Sequence, residues 1–251
     1  RQRQMCIRDS TGRVREHNED SVTILKNISG EYLCVVADGM GGHRKGEVAS
    51  ALTVAHLGKR FTESASIGTK IDAVNWLSDN INEINKEILN YGEENENSKG
   101  LGTTVVAAIV TKEFLIFANI GDSSGYVIKN NKLHKVTKPH TLVNLLVDAG
   151  DLTPEQAANH PKKNVLMKAL GACEKCEPDI FDVDNESSAV FLCSDGLTGM
   201  LSDEQIEKVL LDSDLTVEEK VVKLIKKCNA RGGNDNISIA YLVRESGEIA
   251  W

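Results

Sequence analysis

The sequence predicts an α+β domain with largely antiparallel sheets. Strand-like apolar runs gather towards both ends of the chain with helical patterns interspersed, which suits segregated layers and not a doubly wound parallel sheet. Successive runs are also joined by very short links. Thr103–Val110 and Phe114–Ile120 are separated only by Thr111-Lys112-Glu113, whereas a parallel pair needs a crossover of about a dozen residues or more. Asn130-Asn131 stands between Val127-Ile128 and Leu133–Val136, a second hairpin signal.

Taken in order, residues 1–10, RQRQMCIRDS, are basic at first but hold no apolar h-region, so they are not a secretory signal. They match none of the motifs below and are read as lying outside the domain, with an artefact of cloning or sequence assembly as the working hypothesis. Tyr32–Ala37 is the first clear strand. Gly46–Phe61 is a helix candidate, and Ile71, Val74, Leu77, Ile81, Ile84 and Ile88 draw an apolar stripe at helical spacing. The polar segment Tyr91–Lys99 is read as a solvated loop. Thr103–Val110, Phe114–Ile120 and Tyr126–Ile128 are strands, rich in Val, Ile and Phe and bounded by Gly, Asn or Asp. Between Pro139 and Pro161 lies a mostly helical insertion, Leu142–Ala149 and Pro154–His160. Val190–Cys193 and Ile237–Val243 complete the strands. The two helices between them are announced by capping boxes, Ser202 with Gln205 and Thr216 with Glu219.

The 251 residues, 41% of them hydrophobic, suffice for one large core. Net charge is −8 and no Lys/Arg-rich block exists, which argues against nucleic acid, since phosphate backbones demand a concentrated basic surface. No apolar run approaches the roughly 20 residues needed to cross a bilayer. A soluble cytoplasmic protein without membrane partners is expected. Among six cysteines, Cys34 and Cys193 sit in apolar strands as buried thiols. Cys173 and Cys176 form a lone CxxC with no second pair or histidine pair at zinc spacing, and are read as incidental thiols on a surface loop.

Four aspartates carry the chemistry. Asp38 closes Tyr32–Ala37 in VVADGMGGH; Asp122 follows Phe114–Ile120 in ANIGDSSGY. Asp195 closes Val190–Cys193 in VFLCSDGLTGM, and Asp235 opens the last strand in RGGNDNISIAYLV. Any one alone reads as a strand stop with an Asx turn. Together they suggest convergence at strand ends, where carboxylates repel: unit charges about 4 Å apart cost on the order of 4 kcal/mol at an effective dielectric near 20. A divalent cation would remove that repulsion, and an all-oxygen donor set selects Mg²⁺ or Mn²⁺ over Zn²⁺. Glu19 and Asp20 precede the apolar Val22-Thr23-Ile24-Leu25, and Arg15 lies close by in sequence. A guanidinium fork beside metal carboxylates suits a phosphate oxyanion; a surface ion pair is the plainer reading.

These residues resemble the metal-dependent protein phosphatases of the PP2C (PPM) family, bacterial branch, from about Thr11 to Val243. In order they are Arg15–Asp20 (RxxNED), Asp38–His43 with Gly46–Ser50, Gly102-Thr103-Thr104, Asn119–Tyr126, Leu142–Gly171, Ser194–Leu201 and Gly232–Ile237. The resemblance implies a four-layer αββα sandwich over 11–245, with a flap at about 139–165 and a tail at 246–251. It implies a dinuclear Mn²⁺/Mg²⁺ centre. Asp38 would bridge the ions and Gly39 would lend its carbonyl. Asp20, Asp195 and Asp235 would complete the pair, with Glu19 acting through water. Asp122 would hold a weaker third ion with Asp195, and Arg15 would grip the phosphate. The implied reaction is hydrolysis of phosphoserine or phosphothreonine by direct attack of a water activated between the ions. A monomer acting on phosphoproteins, a bacterial Ser/Thr kinase among them, is the implied setting.

Four positions depart from the family's pattern. Thr11 stands where Asp or a similar polar residue precedes the first glycine, Ser124 where arginine follows GDS, Pro139 where aspartate precedes histidine, and Met40 where animal members carry a histidine as proposed general acid. Activity is expected to survive with altered flap behaviour. His43 is a candidate for the leaving-group proton donor, against an ordinary loop histidine. Two alternatives stand beside the phosphatase: a catalytically inactive phosphoprotein-binding scaffold, which should have lost metal aspartates, and a phosphomonoesterase for small esters.

Overall fold

In the computed structural model, which describes residues 4–41, 45–95 and 100–244, strand alternation builds the layers. In β3 (Tyr32–Met40), Leu33 and Val35 point into one core while Tyr32, Cys34 and Val36 point into another. β5 (Val105–Val110) does the same: Val105, Ala107 and Ile109 on one side, Val106, Ala108 and Val110 on the other. Period-two alternation with both faces apolar requires a covering layer on each side.

The remaining elements supply those layers. They are β1 (Gln4–Ser10), β2 (Asp20–Lys26), α1 (Lys45–Glu63), α2 (Lys70–Glu94), β4 (Gly102–Thr103), β6 (Leu115–Ile120), β7 (Ser124–Lys129), β8 (Lys132–Lys135), α3 (Leu142–Asp148), α4 (Pro154–Ala158), β9 (Asp179–Val183), β10 (Ala189–Cys193), α5 (Asp195–Thr198), α6 (Asp203–Leu210), α7 (Val217–Ala230) and β11 (Ile237–Val243). One sheet runs β1-β11-β10-β7-β8, the other β2-β3-β5-β6-β9 with β4 paired to β3. Every pairing is antiparallel.

Three apolar clusters fill the three gaps of a four-layer sandwich. Leu57, Phe61, Leu77, Ile81, Ile84 and Ile88 of α1 and α2 meet one sheet. Leu197, Ile206, Val209, Val221 and Leu224 of α5–α7 meet the other. Val36, Val106, Phe117, Val190, Leu192 and Leu242 lie between the sheets. The expected α+β architecture stands.

Both hairpins form as expected. Val110 pairs with Leu115 across Thr111-Lys112-Glu113-Phe114, one residue more than the expected link, and Asn130 and Asn131 take φ of 52° and 57°, the left-handed pair of a two-residue hairpin. Both capping boxes close, at Ser202 with Gln205 and Thr216 with Glu219. Two more, Thr69 with Asp72 and Thr153 with Gln156, start α2 and α4.

The structure departs from expectation in five places. Residues 4–10 pair with β11 as an edge strand in full register. The run Thr103–Val110 breaks at Thr104 into β4 and β5. α2 continues through Glu94, so only the end of the expected Tyr91–Lys99 loop is left, and 96–99 lie outside the described residues. Ile71 is 72% exposed in the first turn, off the stripe that Leu77 to Ile88 bury. Strand β9, with only Ile180, Phe181 and Val183 apolar, escapes the reading of apolar runs.

Candidate active site

The acidic residues converge where strands of both sheets end. Register sets Asp20 opposite Asp38 across β2 and β3. Asp122 lies in the turn between β6 and β7, Asp195 opens α5 after β10, and Asp235 precedes β11. Two close backbone approaches hold these ends together. A Cβ on Gly39 would meet the Gly46 carbonyl oxygen at 2.2 Å, so the end of β3 lies directly on the start of α1. One on Gly196 would meet the Asn236 carbonyl oxygen at 1.9 Å, which brings the residues after Asp195 and Asp235 side by side.

Polar side chains brace the carboxylates. Ser194 Oγ donates to Asp20 Oδ2 at 2.7 Å and accepts the Ser238 N–H at 2.9 Å, linking the two sheets. Thr104 Oγ1 accepts the Asp38 N–H at 3.0 Å and lies 2.7 Å from Ser123 Oγ. The Asp38 carbonyl takes the Thr104 N–H and the Thr103 hydroxyl, each at 2.9 Å. Asn236 fastens the loop before β2: its Oδ1 accepts the Glu19 N–H, and its Nδ2 donates to the carbonyls of Thr11 and His17, all at 2.9 Å. Arg15 Nη2 donates to Asp235 Oδ2 at 2.8 Å, with its side chain 48% exposed.

The electrostatics show that the carboxylates feel one another. Burial, with repulsion from Asp195 and Asp235, pushes Asp20 up to about 7 even though Ser194 bonds its charged form. Burial and Asp195 push Asp122 up to about 7. Asp38 is raised well above the usual carboxylate range by burial and by Asp20 and Asp195. Asp195 is raised by burial and by Asp235, against a hydrogen bond from Asp38. In front lies a cleft of about 830 Å³ onto which Asp122, Asp195 and Asp235 open. Pro139, Val143, Val147, Pro154 and Ala157, within or bordering the helical insertion, also line it, as do Lys135 and Lys163.

The chain matches the model for the family described as protein phosphatase 2C over residues 9–237. The chain belongs to the protein phosphatase 2C family. A serine/threonine phosphatase, stp, of Listeria monocytogenes is 41% identical over 240 residues, covering 95% of each chain. A serine/threonine phosphatase structure from S. agalactiae superposes with a TM-score of 0.91 at 36% identity, over 96% of this chain and 99% of that one. The Mycobacterium tuberculosis phosphatase PstP/Ppp gives 0.86 at 34% identity, over 96% and 98%.

Membership implies dependence on divalent metal ions. Among the described residues, no three His, Cys, Asp or Glu side chains are placed so that they could hold a metal ion as they stand. The donor set nevertheless fits a divalent cation: Asp20, Asp38, Asp122 and Asp195 are hard oxygen donors that burial and mutual repulsion leave poorly compensated.

Every carboxylate singled out from the sequence belongs to this region, as do Gly39 and Arg15. His43 lies outside the described residues. Met40 follows Gly39 and is 37% exposed. Ser124, in the place of an arginine, is buried, its hydroxyl without a hydrogen-bond partner among the described residues. Ser194, Thr104 and Asn236 were present in the quoted motifs without a role; each proves to be a brace. The CxxC pair is not a surface pair: Cys173 is exposed, but Cys176 is fully buried, its thiol 3.5 Å from the Ala169 carbonyl.

Proposed function

We propose that this chain is a metal-dependent protein serine/threonine phosphatase that hydrolyses phosphoserine and phosphothreonine in proteins. The observation that carries the reading is the group of buried carboxylates, raised by one another, at strand ends that bear the family's motifs. Asp38, Gly39 through its carbonyl, Asp20, Asp195 and Asp235 would hold two ions, with Glu19 acting through water, and Asp122 with Asp195 would hold a weaker third. Bound there, Mn²⁺ or Mg²⁺ would activate a water nucleophile and neutralise charge growing on the phosphoryl oxygens.

The chain's own groups do the rest. Arg15, half exposed beside Asp235, presents its guanidinium to the incoming phosphate. The flap, 139–165, together with Lys135 and Lys163, receives the peptide around the phosphorylated residue. The chain is taken to act as a monomer in the cytoplasm, with a Ser/Thr kinase among its phosphoprotein substrates. No helix among the described residues is long and apolar enough to cross a membrane.

The deciding experiment is dephosphorylation of a phosphothreonine peptide with Mn²⁺, beside the same reaction in EDTA. Release of phosphate that EDTA abolishes is expected. A chain that cleaves only an aryl phosphate would be a small-ester hydrolase; one that binds the phosphopeptide without turnover would be a scaffold.

A further inference from the structure

The base of the flap holds a polar cluster that the reaction above leaves unused. The Gly121 N–H donates to His140 Nδ1 at 3.1 Å. That nitrogen must therefore keep its lone pair, which puts the proton of the neutral ring on Nε2. Nε2 lies 2.9 Å from Asp179 Oδ2, so the ring donates there. The backbone closes the grip in the other direction: the His140 N–H donates to the Gly121 carbonyl at 2.9 Å. Asn119 Nδ2 adds bonds to the Gly121 and Lys138 carbonyls, each at 3.2 Å. Both backbone polar groups of the residue before Asp122 are thus held by His140.

The same cluster reaches the far end of the flap. The Met167 N–H donates to the His140 carbonyl at 2.8 Å. Lys168 Nζ stands 3.4 Å from Asp179 Oδ1. Asp179 therefore touches the flap's entry through His140 and its exit through Lys168. The His140 side chain is only 15% exposed, so water competes poorly for its two nitrogens.

We propose that Asp179 and His140 form a positioning dyad at the flap base. Asp179 fixes the ring of His140, and His140 holds the turn that presents Asp122 to the cleft. Neither side chain touches the reacting atoms. The effect on turnover rests on the phosphatase reading; the geometry does not.

The geometry is therefore tested first in the metal-free protein without substrate. Ring ¹⁵N shifts should show His140 protonated at Nε2. Exchange of the Gly121 amide should quicken by about tenfold in Asp179→Asn, and further in His140→Ala, as one or both hydrogen bonds are lost. His140→Asn, whose Oδ1 falls near the place of Nδ1, should recover protection of that amide relative to alanine. The double variant His140→Ala, Asp179→Asn should match His140→Ala, because the carboxylate acts on the turn through the ring. On the phosphothreonine peptide with saturating Mn²⁺, Asp179→Asn should lower kcat by about tenfold with little change in KM.

A ring protonated at Nδ1, unchanged Gly121 exchange in Asp179→Asn, or simple additivity in the double variant would each overturn the dyad. Altered exchange with unchanged kcat would overturn its part in catalysis. If His140→Ala does not fold, Asp179→Asn and His140→Asn decide the matter. A wild-type protein that leaves the phosphopeptide intact would defeat the phosphatase reading while the ring and amide measurements still judge the dyad.

Discussion

The core between the sheets and the acidic cleft at their ends are made from the same strands and follow opposite rules. In β3, Cys34 and Val36 are buried among Val106, Leu192 and Leu242, each gaining from its neighbours as apolar area leaves water. Two residues beyond Val36, Asp38 is made less comfortable by every acidic neighbour it has. The core contributes the stability that keeps the cleft in an arrangement its own charges oppose. Stability and function should therefore separate cleanly under substitution.

Asp38→Ala should produce the largest effect. With Mn²⁺ and a phosphopeptide, turnover should fall by about a thousandfold or more, since Asp38 is proposed to serve both ions. In EDTA the same variant should melt no lower than the parent, because one of the mutually repelling carboxylates is gone. A folded variant with ordinary turnover would remove Asp38 from the site. One that melts well below the parent in EDTA would make the cleft a source of stability and erase the contrast.

The complementary change is Leu192→Ala, fully buried between the sheets. A loss of about 2–5 kcal/mol in denaturant unfolding is expected, from lost transfer energy and the cavity left behind. Turnover of the folded fraction at low temperature should be within about twofold of the parent. A large fall in kcat without loss of stability would mean that the intersheet core participates in catalysis.

The pH dependence of the metal-free protein sharpens the same contrast. Asp20 and Asp122 are raised from 3.8 to about 7 in the folded state. Between those values the folded protein binds more protons than the unfolded chain, so the sign is fixed: stability in EDTA falls as pH rises from about 4 to about 7, then levels off. The melting temperature in EDTA should drop by several degrees across that window. Adding Mn²⁺ should restore more at pH 8 than at pH 5, where protons already occupy the carboxylates. An increment independent of pH would show that these groups do not bind the ion.

The two regions were also unequally legible in sequence. Alternation exposed both faces of Tyr32–Ala37, and the short links at Thr111–Glu113 and Asn130-Asn131 fixed the antiparallel pairing. Strand β9 was missed because Asp179 and Asp182 leave it no apolar run longer than Ile180-Phe181, and it pairs at one side only, on β6. The early strand Gln4–Ser10 was missed because an edge strand with mostly exposed side chains carries no burial signal. At the cleft, the acidic residues were visible as charged stops at strand ends, with Asp38, Asp122 and Asp195 beside glycine. Their braces were not: Ser194, Asn236 and the His140–Asp179 pair act through hydrogen bonds between residues 39 to 225 positions apart, which no local pattern encodes. Of these spans, the one from Asn236 to Glu19 ties the end of the chain to its beginning, so only folding reveals it.

The smallest effect belongs to Arg15, at the border of the two regimes. Its guanidinium bonds Asp235 at 2.8 Å yet remains half exposed, so part of its donor fork is free for a ligand. Arg15→Ala should raise the phosphopeptide KM by about tenfold, the worth of one charge-assisted hydrogen bond of about 1.4 kcal/mol, with kcat changed less. Arg15→Lys distinguishes the two duties. A lysine keeps a charge near Asp235 but lacks the planar fork. If Arg15 serves the phosphate, lysine should recover little of the lost affinity. If it serves mainly to compensate Asp235, lysine should restore the parent KM and the parent's dependence on Mn²⁺ concentration together, and the phosphate-gripping role would be withdrawn.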